Sequence, residues 1–444
     1  MKRVLFACVC ALVVISCTSS NNTEYRAKVK DAQFLHRSMK AITDRIVHDI
    51  FSPPVASRIY TYSSVAAYEA IIPIDSRFKS LAGQLNGLDS IPQPDPGKEY
   101  CFELASTQAI LKVGRTLIFS ESDLDVFIEQ VMNEFKETGI PSDVFERSIE
   151  YGNKVADRVL AWSSKDNYKQ SRSFPKYTIE SNPATWQPTP PAYMDAVEPH
   201  WKTIRTFVMD SSAQFKPVPP TPFSTDKSSQ FYKEAYEVFK VGKELTEEQR
   251  AIASFWDCNP FAMNVRGHVM FATKKISPGG HWINITRQVC EASKSSFPEV
   301  AEAYVRVSLS LVDGFISCWD EKYRSKLVRP ETYINKYIDE NWVPVLQTPP
   351  FPEYTSGHSV ISASASVALT KLFGNDYAFT DSTETEFGMP PRSFKSFYHA
   401  ADEAGISRMY GGIHYRPAVE VGGKQGKALG ELVAQKIVTR VPAQ

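Results

Sequence analysis

Apolar residues recur at a spacing of three to four along most of the chain, which is the period of one face of an α-helix. Strand-like alternation of apolar and polar residues is scarce, so the sequence predicts an all-α protein built from helical bundles. The predicted helices span residues 100–119, 121–135, 141–162, 246–256, 298–326, 358–373 and 419–438, and another begins near residue 228.

Prolines interrupt this helical pattern once, between residues 174 and 222. Long helices are excluded there because proline lacks the backbone donor, yet Trp186, Tyr193 and Trp201 remain in the segment. So many aromatic residues predict an ordered, Pro-rich wrapping segment packed on the helical body. We therefore divide the chain into a helical region with this segment, residues 18–225, and a catalytic helical-bundle domain, residues 226–444.

The N-terminus has the pattern of an export signal. Lys2 and Arg3 precede an apolar run over residues 4–15, which is too short to span a bilayer, and Ser16 and Cys17 follow. The end of this run resembles a bacterial lipobox, so residues 1–17 are predicted to be a lipoprotein signal peptide and Cys17 the lipidated residue. A plain signal peptide with a chance cysteine is the alternative. The expected location is the bacterial cell envelope, with the N-terminal lipid as the single membrane contact.

Composition adds two constraints. Lys and Arg total 50, as do Asp and Glu, so the total charge gives no sign of a nucleic-acid partner. Beyond Cys17 the chain has four cysteines, which would form up to two disulfides in an oxidising compartment or remain as buried free thiols. Their spacing matches no zinc pattern. They are Cys101, Cys258, Cys290 and Cys318.

Candidate chemistry is concentrated in three stretches of the last third. The first, KYRSKLVRP at 322–330, has Lys322 and Arg329 seven residues apart. On a helix this is two turns, so both cations would extend from one face toward one target. Pro330 disfavours helical geometry at Arg329 and predicts that the helix ends at a pocket. Alone, such a pair is more typical of a solvated surface.

The second and third stretches add an anion-binding turn and two histidines. Ser356, Gly357 and His358 precede a helix rich in small residues, and free N–H groups at a helix N-terminus bind oxyanions. Arg408 and His414 are six residues apart, which a continuous helix would place on different faces. The glycines at 411 and 412 supply a break that brings both inward.

In this order and with these internal spacings, the three stretches resemble the signature of the type 2 phosphatidic acid phosphatase and vanadium haloperoxidase superfamily. The resemblance implies helical bundles around a site for a tetrahedral oxyanion. It makes His414 the axial vanadium ligand or the nucleophile, and His358 the acid–base group on the opposite side. The residues that it assigns to binding the oxyanion are Lys322, Arg329, Ser356, Gly357 and Arg408.

Further residues resemble the vanadium chloroperoxidase branch. Trp319, three before Lys322, and Phe351, seven before His358, match aromatics that line the halide side of the pocket in that branch. Asp257 resembles the family aspartate that pairs with a site arginine, here Arg408. Trp319 and Phe351 also have a simpler interpretation as core aromatics, and Asp257 has one as an ordinary carboxylate at a helix C-terminus. His281, in a Pro-Gly-Gly-His string, is interpreted as a loop histidine.

Ala418 departs from the pattern, since the family often has an aspartate four residues after the axial histidine. Without it His414 is expected to lack a carboxylate partner, which disfavours a phosphohistidine. The first hypothesis is therefore a vanadate-dependent haloperoxidase using hydrogen peroxide and a halide. The second is an acid phosphatase for soluble phosphomonoesters, with a phosphohistidine and no cofactor. The third is a non-catalytic phosphate- or vanadate-binding lipoprotein.

Overall fold

The computed structural model describes residues 24–260, 262–266 and 269–441. The described chain is mainly helical, with two short antiparallel hairpins, β1 with β2 and β3 with β4. The α-helices are α1 (Tyr25–Lys28), α2 (Gln33–His48), α3 (Pro53–Ile71), α4 (Phe102–Leu117), α5 (Glu121–Glu137), α6 (Ser142–Ser163), α7 (Tyr168–Ser171), α8 (Gln230–Glu244), α9 (Glu247–Phe255), α10 (Pro278–Ala292), α11 (Phe297–Ser325), α12 (Pro330–Tyr337), α13 (Gly357–Phe373), α14 (Phe397–Tyr410) and α15 (Arg416–Lys436). The strands are β1 (Ala262–Arg266), β2 (Val269–Thr273), β3 (Phe379–Asp381) and β4 (Arg392–Phe394), and 3-10 turns span Ile72–Ile74, Trp201–Thr203 and Thr383–Phe387.

The all-α prediction is confirmed, and each helix predicted from periodicity is present with ends shifted by a few residues at most. Thr246 caps α9 as expected. Its hydroxyl accepts a hydrogen bond from the backbone N–H of Gln249, and the Gln249 side chain accepts one from the backbone N–H of Thr246, which together form a capping box. The sequence analysis did not predict five helices of more than one turn, α2, α3, α10, α12 and α14. Of these, α3 has all of its residues buried. A helix that is buried on every side has no solvent-exposed polar face, so the amphipathic period is lost.

One hydrophobic core joins the two predicted regions. Its buried members run from Tyr25 to Ile437, and α3 packs directly on α11. The division at residue 225 stays a prediction, since this shared core gives no sign of where a boundary would lie.

The Pro-rich segment is ordered and lies against α11. The buried carboxylate of Asp313 on α11 accepts hydrogen bonds from the backbone N–H groups of Phe207, Val208 and Met209, at 2.7 to 2.9 Å. Farther along the same helix, Trp319 Nε1 donates to the carbonyl of Val197 at 3.1 Å. The wrapping segment therefore supports the helix that ends at the candidate site.

Glycines on α15 set the position of the site-bearing helix α13. A Cβ at Gly426 would lie 1.9 Å from the carbonyl oxygen of Val360, and one at Gly430 would lie 2.8 Å from that of Ser364. Because these contacts are with backbone, only glycine allows this separation. The small residues of α13 permit close packing as predicted, and α15 supplies the complementary glycines every four residues.

The lipidation prediction falls on residues that the structure does not describe: the signal peptide 1–17, with Cys17, lies outside the described residues. Within the described part of the chain, no helix is long and apolar enough to cross a membrane. The four cysteines beyond Cys17 are all free and buried, so of the two alternatives for them the structure has the buried free thiols.

The close contact at Gly426 gives a test of the packing between α13 and α15. Gly426→Ala should lower the free energy of unfolding by about 1–3 kcal/mol, because the added methyl group forces two helix backbones apart. Gly423→Ala on the same helix is the control, since its Cβ would meet nothing within 4 Å. That variant should gain about 0.5–1 kcal/mol from the lower flexibility of the unfolded chain. Urea denaturation measures both, and equal effects would contradict the proposed close contact.

Candidate oxyanion-binding active site

Five elements meet around one cavity. They are the last turn of α11, the residue before α12, the N-terminus of α13, the last turn of α14 and the segment between α14 and α15. The structure brings all of the predicted catalytic and oxyanion-binding residues to this place: Lys322, Arg329, Ser356, Gly357, His358, Arg408 and His414. Their individual roles stay predictions.

Lys322 is fully buried and holds the loop before α13. Its Nζ donates to the carbonyl oxygens of Pro352 at 3.0 Å, Glu353 at 3.0 Å and Thr355 at 2.6 Å. Burial lowers the pKa of Lys322 to about 7. Because all three ammonium donors are used, direct contact with an oxyanion requires Lys322 to give up one carbonyl.

Arg329 reaches the site from a different element than predicted. Helix α11 ends at Ser325, Lys326 adopts a left-handed conformation with φ 53°, and Arg329 is the extended residue before α12. The two cations therefore do not share a helix face, because the chain leaves the helix one turn earlier than the spacing argument assumed. Arg329 Nε donates to Phe351 O at 2.9 Å and Nη1 to Ile413 O at 2.8 Å. Its Nη2 is buried and has no partner among the described residues.

Arg408 is also bound by backbone carbonyls. Its Nη2 donates to Trp256 O at 2.7 Å and to Ala253 O at 3.3 Å, at the C-terminus of α9. The predicted direct pairing with Asp257 is not formed, because the Asp257 carboxylate accepts instead from Lys275 Nζ at 2.6 Å. Burial lowers the pKa of Arg408, and the nearby negative charge of Asp257 opposes that shift. Asp257 thus acts on Arg408 through its charge and not through a bond.

His414 has a carboxylate partner that the sequence analysis missed. Its Nδ1 lies 2.8 Å from Oε1 of Glu353, which also accepts from the backbone N–H of Tyr415 at 2.9 Å. The expectation that Ala418 leaves His414 without a carboxylate is therefore wrong: the loop before α13 supplies it. The available signal was an acidic residue between prolines and aromatics, five positions before His358.

These contacts determine the tautomer of His414. Its Nε2 lies 3.1 Å from Nη1 of Arg329, and a guanidinium can only donate, so Nε2 must accept. The proton is then on Nδ1, where Glu353 accepts it. Burial, followed by the charges of Arg329 and Lys322, lowers the pKa of His414 well below its usual value. The imidazole is therefore neutral, with a lone pair on Nε2.

The N-terminus of α13 adds a capping serine and a second neutral histidine. Ser356 is the N-cap, and its Oγ accepts from Ser359 N at 3.3 Å and from Ser359 Oγ at 2.9 Å. Burial and then the charge of Arg408 lower the pKa of His358 well below its usual value, so this ring is also neutral. Its Nε2 is buried and has no partner within the described structure.

Aromatic side chains form one wall of the cavity. Trp319 and Phe351 both line it, with ring centroids 4.9 Å apart, and Phe315 packs on Trp319. Lys322 Nζ lies 5.1 Å from the Phe351 ring centre, and the guanidinium carbon of Arg329 lies at the same distance. The predicted pair of aromatics is therefore at the site and also covers two of its cations.

The geometry fits a tetrahedral oxyanion. Three buried cations converge with the N-terminus of a helix. Within the described structure, the buried Nη2 of Arg329 is a donor without a partner, and the buried Nε2 of His358 also has none. Unpaired buried donors are costly, so this cavity is suited to a ligand that supplies several acceptor oxygens and negative charge. A neutral imidazole with its lone pair on Nε2 can serve as a ligand or as a nucleophile once the bound oxyanion replaces Arg329 at that atom.

Known proteins share this fold. The family model described as the VCPO second helical-bundle domain matches residues 335–442. The chain is similar to a bacterial vanadium-dependent iodoperoxidase of known structure, with 50% sequence identity, a TM-score of 0.88, and coverage of 93% of this chain and 98% of that chain. No curated protein sequence is similar enough to count as a match.

More distant structures share the fold alone. These are the holo and apo forms of a bacterial vanadium-dependent chloroperoxidase, each 16% identical. Their TM-scores are 0.67 and 0.66, with 87% of this chain covered in both comparisons and 93% and 94% of the other chains.

Glu353 is expected to control oxyanion binding through His414. Glu353→Gln removes the charge that holds the proton on Nδ1, so the dissociation constant for vanadate should rise about 10–100-fold. Burial raises the pKa of Glu353 to about 7. Glu69→Gln is the matched control, because burial likewise raises the pKa of Glu69 to about 7 while its partners are Ser80 and Leu81. Calorimetric titration measures both variants, and wild-type affinity in Glu353→Gln would contradict the role.

The lowered pKa of Lys322 predicts that anion binding depends on pH. Burial lowers its pKa from 10.5 to about 7, so the cation is present below about pH 7 and is lost above it. Affinity for sulfate, which keeps its charge over this range, should fall by up to about tenfold per pH unit above neutrality. Between the folded-state pKa of about 7 and the ordinary pKa of 10.5, Lys322 is more protonated in the unfolded chain than in the folded one. Lys322 therefore makes the free energy of unfolding rise with pH in this range.

Lys322→Met is the control for this pH dependence, since its side chain has similar length and no ammonium group. The variant should bind sulfate more weakly at low pH and with a flatter profile. A slope equal to that of the wild type would assign the titration to another group.

Proposed function

The chain belongs to the vanadium-dependent haloperoxidases, and from that premise we propose that it oxidises iodide with hydrogen peroxide, using vanadate held at His414. The family relationship makes it a haloperoxidase with vanadate as cofactor and with hydrogen peroxide and a halide as small-molecule substrates. The observation that carries the proposal is the neutral His414, with Nδ1 on Glu353 and Nε2 facing Arg329.

The donor set is suited to vanadate. His414 Nε2 would bind the vanadium, and Arg329, Arg408, Lys322 and the N-terminus of α13 would neutralise the oxygens. When bound, vanadate supplies Lewis acidity that makes hydrogen peroxide a two-electron oxidant for halide. In the overall reaction, halide, hydrogen peroxide and one proton give hypohalous acid and water.

His358 is the group that can move protons. The low pKa of His358 keeps its ring neutral, and its Nε2 has no partner in the described structure. In the tautomer with the proton on Nδ1, Nε2 holds a lone pair. It can therefore accept a proton from incoming hydrogen peroxide and return it to the departing oxygen as water forms. Arg408 lies near enough to lower the pKa of His358, so the ring releases a proton readily after accepting one.

Two observations support iodide as the halide. The relative at 50% identity is an iodoperoxidase, whereas the chloroperoxidase is 16% identical. The wall formed by Phe315, Trp319 and Phe351 is aromatic and buried, which favours the halide that is least strongly hydrated and most polarisable. Iodide also requires the weakest oxidant of the halides that these enzymes use.

Phosphomonoester hydrolysis is the second candidate function, and one contact favours it. The bond between Glu353 and His414 orients and activates a histidine as a carboxylate does in other nucleophilic sites. Because Glu353 supplies the carboxylate partner of His414, the presence of alanine and not aspartate at position 418 does not argue against a phosphohistidine. His358 would then protonate the leaving alcohol.

The N-terminal sequence supports a proposal about location. The apolar run 4–15 followed by Cys17 is typical of an exported lipoprotein. The enzyme would then be anchored to the cell envelope by a lipid on Cys17, with its catalytic domain outside the cytoplasm. Radiolabelled palmitate incorporated into the wild type but not into Cys17→Ala would support this location.

A paired assay tests the proposed function. Vanadate-free protein should oxidise iodide with hydrogen peroxide only after vanadate is added, and faster than it oxidises bromide or chloride. Under the same conditions, hydrolysis of p-nitrophenyl phosphate is measured with and without vanadate. Hydrolysis that vanadate abolishes, without vanadate-dependent iodide oxidation, would reject the haloperoxidase and support the phosphatase.

Two histidine variants separate binding from proton transfer. His414→Ala should abolish turnover and greatly weaken vanadate binding. His358→Ala should keep vanadate binding and reduce turnover by about 10²–10⁴-fold, the usual contribution of general acid–base catalysis. Full turnover in His414→Ala would show that the axial residue is misassigned.

A further inference from the structure

A second cluster of ligand-type side chains lies next to the oxyanion cavity. Cys258, which lines that cavity, His281 and Glu384 are all buried, and each offers one ligand atom, with these atoms within 4.8 Å of one another. Cys258 Sγ lies 3.3 Å from His281 Nδ1 and 3.8 Å from Glu384 Oε1, and His281 Nδ1 lies 3.1 Å from the same Oε1.

The histidine is held in a fixed orientation. Its Nε2 lies 2.6 Å from Oδ2 of Asp381, and Asp381 in turn accepts from the backbone N–H of Thr383 at 2.8 Å. Trp256 stacks on the imidazole with ring centroids 4.6 Å apart. This corrects the interpretation of His281 as a loop histidine: it lies in the first turn of α10 and is fully buried. A histidine fixed by a carboxylate in this way is typical of zinc ligands.

The three distances match one face of a tetrahedral zinc site. Zinc bonds of about 2.3 Å to sulfur and about 2.0–2.1 Å to nitrogen and oxygen place the ligand atoms about 3.3–3.6 Å apart. Each observed distance is within a few tenths of an ångström of that range. Little movement is therefore needed to bind an ion.

We propose that Cys258, His281 and Glu384 bind a zinc ion, with Asp381 orienting His281 and water in the fourth position. A thiolate with an imidazole and a carboxylate selects zinc over calcium or magnesium, which require oxygen ligands. Binding releases the protons on the Cys258 thiol and on His281 Nδ1. The sequence spacing gave no zinc signal, because the three ligands come from the segment after α9, the start of α10 and the 3-10 turn at Thr383–Phe387.

The ion would act on the neighbouring active site in two ways. Trp256, two residues before Cys258, supplies the carbonyl that binds Arg408, so the ion would fix the segment on which Arg408 depends. If the proposed function holds, hypohalous acid forms in a cavity that Cys258 lines. Coordination would protect this thiolate because its lone pair is engaged with the metal.

Metal analysis of the wild type tests the proposal without relying on any variant. Untagged protein should retain about one zinc per chain through dialysis, as expected for a buried site with three protein ligands. Replacement of zinc by Co²⁺ should give a thiolate-to-cobalt charge-transfer band in the near ultraviolet. Folded wild-type protein that retains no zinc, takes up none on titration and lacks the band would overturn the proposal and leave an ion-pair cluster only.

Variants then assign the ligands. Cys258→Ser should lose the cobalt band and most of the zinc, whereas Cys290→Ser, which removes another buried free cysteine, should keep both. Asp381→Asn should keep the band and weaken zinc binding about 10–100-fold. A cobalt band that persists in folded Cys258→Ser would reject this thiolate as a ligand and overturn the site.

Discussion

Three cations are buried in one cavity, and no carboxylate among the described residues is bonded to any of them; this arrangement constrains most of the catalytic half. Backbone carbonyls at 253, 256, 351–353, 355 and 413 solvate Lys322, Arg329 and Arg408 instead. Carbonyl dipoles lower the cost of burying a charge but do not neutralise it. The loop before α13, the end of α9 and the segment after α14 are therefore held in place by the cations, and the cavity keeps a positive field for an oxyanion.

The carboxylate of Glu353 is directed at a histidine and not at a cation. It fixes the proton of His414 on Nδ1, while Arg329 faces Nε2, so the ring has one reactive nitrogen. The same geometry serves an axial vanadium ligand and a phosphate nucleophile. The choice between the two chemistries therefore depends on which oxyanion occupies the cavity, and the family relationship favours vanadate.

The sequence predicted eight of the helices and the ordered motifs, because periodicity and local spacing carry that information, but it did not predict α2, α3, α10, α12 and α14. It could not show that Arg329 follows α11 in an extended segment. The helix ends at Lys326, which has a left-handed backbone conformation, and a lysine gives no sequence signal for that conformation. Glu353 could be read from the sequence, but the direction of its side chain depends on the conformation of a loop whose carbonyls bind Lys322. Asp257 pairs with Lys275 and not with Arg408. The sequence could not show this, because Lys275 lies on a loop that only the tertiary fold brings next to Asp257. The cluster of Cys258, His281 and Glu384 joins residues far apart in sequence, which no spacing rule detects.

The central claim is that the cavity is preformed for an oxyanion by Arg329 and by the Glu353–His414 pair. A crystal structure of the protein with vanadate tests it most directly. The account predicts vanadium on Nε2 of His414, Glu353 still bonded to Nδ1, and a vanadate oxygen on the unpaired Nη2 of Arg329. Vanadium bound elsewhere, or a His414 ring that has turned away from Glu353, would contradict it.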